Sequence, residues 1–389
     1  MKKKSSRRNF IGKAAAAGGT VIAGARRAHA KTVKNIPETD LIRVGVIALG
    51  DNSHMNYSIW APMINQTEPG KWPVGRTTRM LITHAWDSRS ELAEAFAKKY
   101  KCEAVKNYYD MVDKVDGMIF AGFNECKWWP QLTKPYLEAG IPCFINRPFA
   151  YSMKDAHFMV DIAKKHNTPI LCTDEREYIQ QAIVARSKVE ELLRQKRRIL
   201  GAHSSNASGE WSQHGVHGLY FLLAVLGLDV ETVGYQADGW WKEVTPTATL
   251  QSYGQLSLQY RGINIDGIGE QSQPFMVSQF QTWPRADITL RLYHSSGWWD
   301  IAHEHTTGDG GFNRHFYLFF PTILAIQRMF ETREMQWSYD YILKKTRIFL
   351  AAFKSHLEHN GAMIPVDDLP DDWEAPSPYA DWIDEAIFE

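Results

Sequence analysis

Two stretches of this 389-residue chain carry residue types at spacings that could do chemistry. The first is Ala48-Leu49-Gly50-Asp51-Asn52-Ser53-His54, which follows an apolar run and puts alanine, glycine and serine where a phosphate-binding strand–helix turn has three glycines. At the middle position, Gly50, a side chain would block a pyrophosphate. Gly50, Asn52, Ser53 and His54 could therefore bind a dinucleotide, although the segment alone is equally typical of a plain structural turn.

The second stretch holds His214 and His217, which are three residues apart and share a face of a predicted apolar helix. Imidazole has an ordinary pKa of about 6.5, which suits proton transfer near neutrality, so His217 is our candidate general acid or base. The alternative is a helix-face histidine packed between domains. No zinc-ligand spacing occurs, and His303-Glu304-His305 has no further ligands nearby in the sequence, so we predict no metal site.

Asp87 stands at the end of a second predicted strand, where an acidic residue can bind an adenosine ribose and favour NAD over NADP. Its separation from Gly50 exceeds the usual spacing of about 20 residues. An insertion over residues 65–79, rich in Pro, Gly and Thr, accounts for the excess. Capping of the following helix is the alternative role for Asp87, and the two roles are compatible.

The elements that would position these residues alternate in the first half of the chain. Apolar runs predict strands and amphipathic stretches predict helices, and such alternation requires parallel strands joined by crossover helices in a doubly wound sheet. The predicted strands are 42–50, 80–86, 116–123, 141–146 and 168–173, and the clearest helices are 90–101 and 154–166.

The pattern changes after Thr173. Longer strand-like segments have polar residues between the apolar ones, which is typical of an antiparallel sheet with one wetter face. The predicted strands are 198–204, 247–260 and 286–294, and the predicted helices are 183–195, 316–331 and 339–359. The chain is therefore predicted to be an α/β protein with a second domain.

The N-terminus has the layout of a twin-arginine export signal. Lysines 2–4 and the pair Arg7-Arg8 precede a weakly apolar run, and Ala28-His29-Ala30 offers a cleavage site. The run is too short to span a bilayer, so we expect a periplasmic or otherwise exported protein with no stable membrane insertion after cleavage. This route carries folded proteins, which suits a chain that acquires its cofactor in the cytoplasm. A basic terminus with a chance arginine pair is the alternative.

Composition excludes several partners. The leader holds eight of the 44 basic residues and none of the 44 acidic ones, so the remaining chain carries 36 basic against 44 acidic residues. This negative balance argues against nucleic acid or an anionic membrane surface as the main partner. The four cysteines are widely spaced and predict buried small residues rather than disulfides.

Three motifs in order carry a resemblance to a known family. They are Asp87-Ser88-Arg89-Ser90-Glu91-Leu92-Ala93, the segment Gly140–Ser152 around Asn146-Arg147-Pro148, and Gly215-Val216-His217-Gly218-Leu219-Tyr220. Over residues 40–365 the chain resembles the glucose–fructose oxidoreductase/inositol dehydrogenase (Gfo/Idh/MocA) family. The resemblance implies a Rossmann domain over residues 31–173 after a signal at 1–30. It also implies a C-terminal α/β domain over 174–389, with a large, mostly antiparallel open sheet through which a homodimer forms.

The resemblance also implies roles for individual residues. The family's Glu-Lys-Pro turn is matched by Asn146-Arg147-Pro148. Arg147 therefore stands at the position of the family's lysine and is expected to act with His217 in catalysis. An arginine keeps its proton at ordinary pH, so it is a poor proton shuttle. The remaining positions are expected to line the site. Asn124, Asn146 and Pro148 would contact the cofactor, and His214, Tyr220, Arg176 and Tyr178 would contact the substrate. For Arg176 and Tyr178, packing at a domain hinge is an equal alternative.

The sequence thus predicts an exported oxidoreductase that acts on a sugar or glycoside with a tightly bound, internally recycled NAD or NADP. Glycoside cleavage by oxidation and elimination is also consistent with an internally recycled cofactor. The alternative is a non-catalytic periplasmic carbohydrate-binding protein that keeps the fold. The tryptophan pairs 128–129, 240–241 and 298–299 could stack on sugars, but such pairs more often belong to a core or a subunit interface.

Overall fold

The computed structural model describes the chain from Asp40 onward with several gaps. The described residues are 40–50, 53–56, 60–65, 78–123, 125–207, 211–238, 253–282, 289–302, 312–377 and 380–388. All of them belong to one compact unit, which runs from Ile36 to Glu389. The predicted leader, Asn52, Asn124, the pair Trp240-Trp241 and the triplet 303–305 lie outside the described residues.

The first half forms a six-stranded parallel sheet in the order β3-β2-β1-β4-β5-β6. The strands are β1 Ile42–Ile47, β2 Met80–Trp86, β3 Glu103–Ala104, β4 Gly117–Phe120, β5 Cys143–Ile145 and β6 Ile170–Leu171. The helices are α1 Trp60–Asn65, α2 Ser90–Tyr100, α3 Trp129–Glu138 and α4 Met153–His166. This confirms the predicted doubly wound sheet. Strand order reverses between β1 and β4, where such sheets bind ligands at the carboxyl ends of their strands.

The second half forms a seven-stranded sheet in the order β14-β13-β7-β12-β9-β8-β15. Its strands are β7 Ile199–Ala207, β8 Val230–Asp238, β9 Tyr253–Tyr260, β12 Phe275–Thr282, β13 Thr289–His294, β14 Gly297–Ala302 and β15 Ile364–Pro365. A separate hairpin pairs β10 Ile263–Ile265 with β11 Gly269–Gln271. Neighbouring strands of the sheet are antiparallel except β7 and β12, which run parallel. The predicted mostly antiparallel sheet is confirmed.

Four further helices complete the described structure. They are α5 Gln180–Arg194, α6 Val216–Leu226, α7 Phe312–Thr332 and α8 Tyr339–His359. Helix α7 follows the second sheet in sequence, yet its Phe319, Ile323 and Phe330 pack into the core of the first sheet. The two sheets therefore separate near residue 173, while one late helix returns to the first of them. None of the described helices is both long and apolar enough to cross a bilayer.

Candidate active site

The carboxyl ends of two adjacent strands bring an arginine and an aspartate together. Strand β5 ends at Ile145 and is followed by Arg147, and β6 ends at Leu171 and is followed by Asp174. Because parallel neighbours end at the same edge of a sheet, the two side chains meet. Arg147 Nε donates to Asp174 Oδ2 at 3.2 Å, and both side chains are almost fully buried.

His217 joins this pair from the first turn of α6. Its Nδ1 lies 2.5 Å from Asp174 Oδ2, and its Nε2 lies 3.2 Å from Arg147 Nη2. Two buried glutamines of β12 hold the helix start in place, since Gln281 Nε2 donates to Gly215 O and Gln279 Nε2 donates to Gly218 O. Arg147, Asp174 and His217 form a closed ring of contacts, which we call the Arg-Asp-His cluster.

The partners fix the protonation of His217. Arg147 can only donate and an ionised Asp174 can only accept, so His217 carries its proton on Nδ1 and keeps a lone pair on Nε2. Burial, helped by the positive charge of Arg176, lowers the pKa of His217 to about 3 despite the opposing effect of Asp174. Burial raises the pKa of Asp174, but His217 and the two arginines outweigh it and hold that pKa well below its usual range. Near neutral pH the cluster holds a neutral base beside a carboxylate.

Two more histidines lie near the cluster, and both are in the neutral form. His214 lies with its ring centroid 5.8 Å from that of His217, and burial followed by the charge of His217 keeps the pKa of His214 well below 6.5. His54 accepts a hydrogen bond from Asn146 Nδ2 at 3.2 Å, and burial followed by the charge of Arg147 lowers the pKa of His54 well below 6.5. The structure thus brings together His54, His214 and His217, which the sequence predicted separately.

We expect these three histidines to make the fold sensitive to acid. Each has a folded-state pKa below its ordinary 6.5, so below pH 6.5 the unfolded chain binds protons that the folded chain does not. Stability is therefore fully present above pH 6.5 and is lost as the pH falls, by up to about 1.4 kcal/mol per pH unit for each histidine. Melting temperatures should stay level from pH 7.5 to 6.5 and fall from pH 6.5 to 5.5, and His54→Gln should make that fall shallower. A flat profile would show that these histidines are not held neutral.

Glu175 and Arg176 extend the site. Asp174, Glu175 and His217 each place a possible metal-ligand atom within 4.8 Å of the others. However, Arg176 Nη1 pairs with Glu175 Oε1, and Arg147 Nε pairs with Asp174 Oδ2. A cation would have to displace two guanidinium groups, so the geometry favours ion pairs over a metal at this place.

Asn146 ties the turn of Arg147 to the neighbouring strand end. Its Nδ2 donates to the carbonyl oxygens of Ala121 and Gly122 at 3.2 and 3.1 Å, and its Oδ1 accepts from Arg147 N at 3.0 Å. The Arg147–Pro148 peptide bond is cis, and Pro148 O accepts from Cys126 Sγ. Asn146 and Pro148, both predicted cofactor contacts, therefore hold the turn that presents Arg147.

In the described part of the loop after β1, several backbone donors have partners within the protein. Ser53 N donates to Gly50 O at 2.9 Å, His54 N to Ala121 O at 3.1 Å, and Met55 N to Ser53 Oγ at 3.2 Å. Ser53 and His54 are buried, and Ser53 forms an isolated bridge with Gly122. In this structure the two residues support the loop through these contacts.

Gly50 and Asp87 lie at the end of the first sheet, as the cofactor prediction requires. A Cβ built on Gly50 would lie 2.4 Å from Arg89 Nη2, so the guanidinium rests directly on the bare backbone of the glycine. Arg89 is half exposed, and its positive charge is complementary to a phosphate. A dinucleotide phosphate reaches the bare backbone of Gly50 only if this guanidinium moves aside.

The remaining predicted substrate contacts are placed differently. Arg176 lies beside the Arg-Asp-His cluster through Glu175. Tyr220 is fully buried, and its ring centroid lies 4.1 Å from Lys345 Nζ. The Tyr178 hydroxyl donates to Gln336 Oε1 at 2.7 Å, in the connection between α7 and α8. The tryptophans 128 and 129 are core residues, whereas Trp298 is exposed on the second sheet.

Sequence reasoning missed Asp174, the residue that joins all parts of the cluster. The signal was present, because Asp174-Glu175-Arg176-Glu177 directly follows the predicted strand 168–173. Charged residues at the carboxyl end of a buried parallel strand lie at the ligand-binding edge of the sheet. The structure shows that the carboxylate in contact with His217 comes from the end of a strand and not from the helix that carries His217.

The parallel sheet with its strand order, the second open sheet and the buried base at the strand ends define a two-domain protein of the Rossmann class. Residues 42–173 match the family model GFO_IDH_MocA, described as an oxidoreductase family with an NAD-binding Rossmann fold. Over these residues the chain is similar to the Gfo/Idh/MocA family. No curated protein matches the chain.

Solved structures share the fold over both domains. Scyllo-inositol dehydrogenase from Lactobacillus casei, with bound NAD(H) and scyllo-inositol, is 12% identical with a TM-score of 0.63, covering 85% of this chain and 100% of its own. GenD2 from gentamicin A biosynthesis, in complex with NAD, is 11% identical with a TM-score of 0.62, covering 86% and 99%. An oxidoreductase from Thermotoga maritima is 13% identical with a TM-score of 0.58, covering 85% and 100%. At these identities the likeness shows a common fold.

Proposed function

We propose that this protein is an NAD(P)-dependent oxidoreductase that oxidises or reduces a hydroxyl-bearing carbon of a sugar, polyol or glycoside. The observation that carries the proposal is the neutral His217, whose Nδ1 proton is held by Asp174 and whose Nε2 lone pair faces the Arg147 guanidinium. A neutral base oriented by a carboxylate is the arrangement needed to take a proton from an alcohol.

Each residue of the Arg-Asp-His cluster has a separate role in alcohol oxidation. The hydroxyl proton passes to His217 Nε2, and the ionised Asp174 stabilises the imidazolium that forms. Arg147 Nη1 is buried and has no hydrogen-bond partner in the described part of the chain, so it is free to donate to the substrate oxygen as negative charge develops. The contact between Arg147 Nη2 and His217 Nε2 opens when the hydroxyl enters.

A bound nicotinamide cofactor would supply the hydride acceptor for the same carbon. Gly50 and Arg89 would hold its phosphates at the first strand end, where the bare backbone lies under a guanidinium. Asn146 would act indirectly, by fixing the turn that presents Arg147 to the reacting oxygen.

We further propose that the cofactor is bound tightly and recycled within the site. A free nicotinamide pool is not expected outside the cytoplasm, so one sugar must be oxidised and the same or another reduced. Glycoside cleavage by oxidation, elimination and reduction is an extension of this cycle. Purified protein should release NAD or NADP on denaturation. Absence of bound nucleotide, together with no binding of either added cofactor, would contradict the enzymatic proposal.

The competing proposal is a carbohydrate-binding protein that has lost the cofactor. Its support is the closed ring of the Arg-Asp-His cluster and the loop donors already used within the protein. Thermal shifts separate the two proposals. An enzyme should be stabilised by NAD or NADP, by about 2.7 kcal/mol at a hundredfold excess over the dissociation constant, whereas a binding protein should respond to sugars alone.

We propose export by the twin-arginine route. The support is the leader with Arg7-Arg8 before a weakly apolar run. Arg7→Lys combined with Arg8→Lys should leave the protein in the cytoplasm with its leader uncleaved, as judged by fractionation and mass. Unchanged export of this variant would contradict the proposed route.

We also propose a homodimer formed through the outer face of the second sheet. Trp298, Tyr293, Gly201 and Met276 form a row across β14, β13, β7 and β12, and the three large side chains of this row are 61%, 41% and 49% exposed. A contiguous apolar row on an open sheet is typical of an interface.

Met276→Glu combined with Tyr293→Glu is expected to convert the dimer into a monomer, because two charges would be buried without partners. Light scattering coupled to size-exclusion chromatography measures the change. Phe158→Glu is the matched control, because Phe158 is 43% exposed on α4, away from the sheet. A monomeric wild-type protein would contradict the proposed dimer.

A further inference from the structure

The last part of the chain returns from the second sheet to the first. After β15, Asp371 O accepts from Lys154 N at 2.8 Å, and Ala375 N donates to Tyr151 O at 2.8 Å, which fixes the chain to the start of α4. Beyond this point residues 380–388 make no hydrogen bond to the rest of the described chain, and their own hydrogen bonds are internal. We call residues 380–388 the C-terminal segment.

Aromatic side chains attach the C-terminal segment to the first domain. Trp382 meets Trp86 edge to face, with ring centroids 6.3 Å apart. Phe388 stacks on Trp128 with centroids 5.9 Å apart, and its centroid lies 5.5 Å from that of Tyr108. Edge-to-face and stacked pairs at these distances are favourable beyond the apolar area that they bury. Both ends of the segment are therefore held on the first domain by ring contacts.

The three residues that receive these contacts follow the carboxyl ends of neighbouring strands. Trp86 is the last residue of β2, Tyr108 follows β3, and Trp128 lies in the turn after β4. Strands β2 and β4 flank β1, and the strand order reverses between β1 and β4. Ligands of doubly wound sheets bind in the crevice outside the carboxyl ends at such a reversal. The C-terminal segment therefore joins residues from both sides of the strand that leads into this crevice.

The attachment of the segment is light enough to open. Ile383 is buried, but Ile387 is 42% exposed. Glu385 is 74% exposed, and its Oε1 lies 3.8 Å from Lys127 Nζ, a surface ion pair of the kind that adds little stability. Segments with few buried contacts and few backbone hydrogen bonds open locally without unfolding the domain. The C-terminal segment can therefore detach while the chain up to Ala375 stays fixed.

We propose that the C-terminal segment is a latch that controls how fast a dinucleotide enters and leaves the first domain. The proposal rests on the proposed function, since it requires a nicotinamide dinucleotide in the crevice. The closed latch ties the loops after β2 and β4 together and obstructs exchange with solvent, and the open latch frees the passage. Because the latch closes with or without the ligand, loosening it speeds entry and release by the same factor and leaves the dissociation constant unchanged.

The test measures the rates at which NADH and NADPH bind and leave, by stopped-flow fluorescence after charcoal treatment has removed bound nucleotide. The variant is Trp382→Ala combined with Phe388→Ala. Both rates should rise by about ten- to a hundredfold, as expected for the loss of two aromatic contacts, while the dissociation constant stays within about threefold of wild type. Phe388→Ala alone removes one ring at the end of the segment and should raise both rates by a smaller factor.

Trp299→Ala is the matched control. Trp299 is a partly buried tryptophan of β14 in the second domain, and its ring centroid lies 4.6 Å from Lys188 Nζ. Both rates of this variant should equal those of the wild type.

Three results would overturn the latch and leave the proposed function intact. Unchanged rates in the double variant would show that the segment does not obstruct exchange. Faster entry with a lower dissociation constant would show that the segment competes with the nucleotide for the crevice. Faster release with unchanged entry would show that the segment holds the nucleotide directly. Binding of neither nucleotide by the wild type would overturn both the latch and the proposed function.

Discussion

Replacing His217 by alanine is expected to lower turnover by about 10²- to 10⁴-fold, the usual contribution of a general acid–base group. His217 is the neutral base of the cluster. Among the described histidines, it alone contacts both Asp174 and Arg147. The rate of cofactor reduction with the sugar substrate measures the effect. The affinity for cofactor should not change, because His217 lies on α6 in the second domain.

His84→Ala is the control for this experiment. His84 is a partly buried histidine of β2 that lies 3.5 Å from Glu103 and is not part of the cluster. Its substitution should leave turnover unchanged. Turnover of the His217 variant within threefold of wild type would show that the base lies elsewhere.

Asp174→Asn tests the orientation of the same imidazole. An asparagine can donate as well as accept, so it no longer forces the proton of His217 onto Nδ1. We expect a loss comparable to that of His217→Ala, and we expect the double variant to lose no more than either single one, because the two residues act as a unit.

Arg147 is tested in the same way, because it replaces the lysine of the family that the chain resembles. Arg147→Ala should abolish turnover by removing the donor to the substrate oxygen and the partner of Asp174. Arg147→Lys restores the family's residue and should retain or increase activity if the chemistry follows the family's hydride route. A sharp loss of sugar affinity in the lysine variant would instead indicate a bidentate contact with an acidic sugar. Unchanged activity in both would show that the turn is structural.

Most of the first sheet could be predicted from the sequence because its strands are buried on both faces. Runs such as 42–47 and 80–86 are apolar enough to be read directly. The strand predictions were too long at their carboxyl ends, since β4 stops at Phe120 and β5 at Ile145. The residues that follow leave the sheet to form the turns of the site.

Other elements were missed for physical reasons. Helix α3 contains Pro135 and begins beside Pro130, so its sequence resembles a loop, yet Trp129 and Tyr136 bury it against the sheet. Strand β12 carries Gln279 and Gln281 on its buried face, where the pattern called for apolar residues. These glutamines are buried because they bind the start of α6, a contact that only the folded chain creates.

Lys345 shows most clearly what the sequence could not predict. It follows the exposed Lys344 in an amphipathic helix, and nothing local separates the two. In the fold, Lys345 is buried and its Nζ donates to Glu177 Oε1 at 2.9 Å and to Cys172 O at 3.0 Å. Glu177 in turn accepts from Asp174 N at 2.9 Å, so the lysine supports the turn that presents the cluster's carboxylate.

Lys345→Met is expected to destabilise the protein by about 3–5 kcal/mol, because it leaves the buried Glu177 without its counter-ion. Burial raises the pKa of Glu177, and Lys345 opposes that rise, so removing the lysine raises the pKa further. Below the ordinary value of 4.5 the carboxyl is protonated in both states and the added cost disappears. The cost of the substitution grows with pH once the pH exceeds the raised pKa that Glu177 has in the folded wild type. Urea denaturation of wild type and variant at several pH values measures it.

Two further variants decide between a buried ion pair and simple packing. Lys344→Met makes the same change one residue earlier on the exposed face of α8 and should alter stability by less than about 0.5 kcal/mol. Lys345→Met combined with Glu177→Gln removes both charges, yet it keeps an oxygen that can accept from Asp174 N and Thr173 Oγ1. This double variant should be more stable than Lys345→Met alone, because no unpaired charge remains buried. If the double variant is instead less stable, the loss comes from packing, and the charge of Lys345 is not what supports the turn of Asp174.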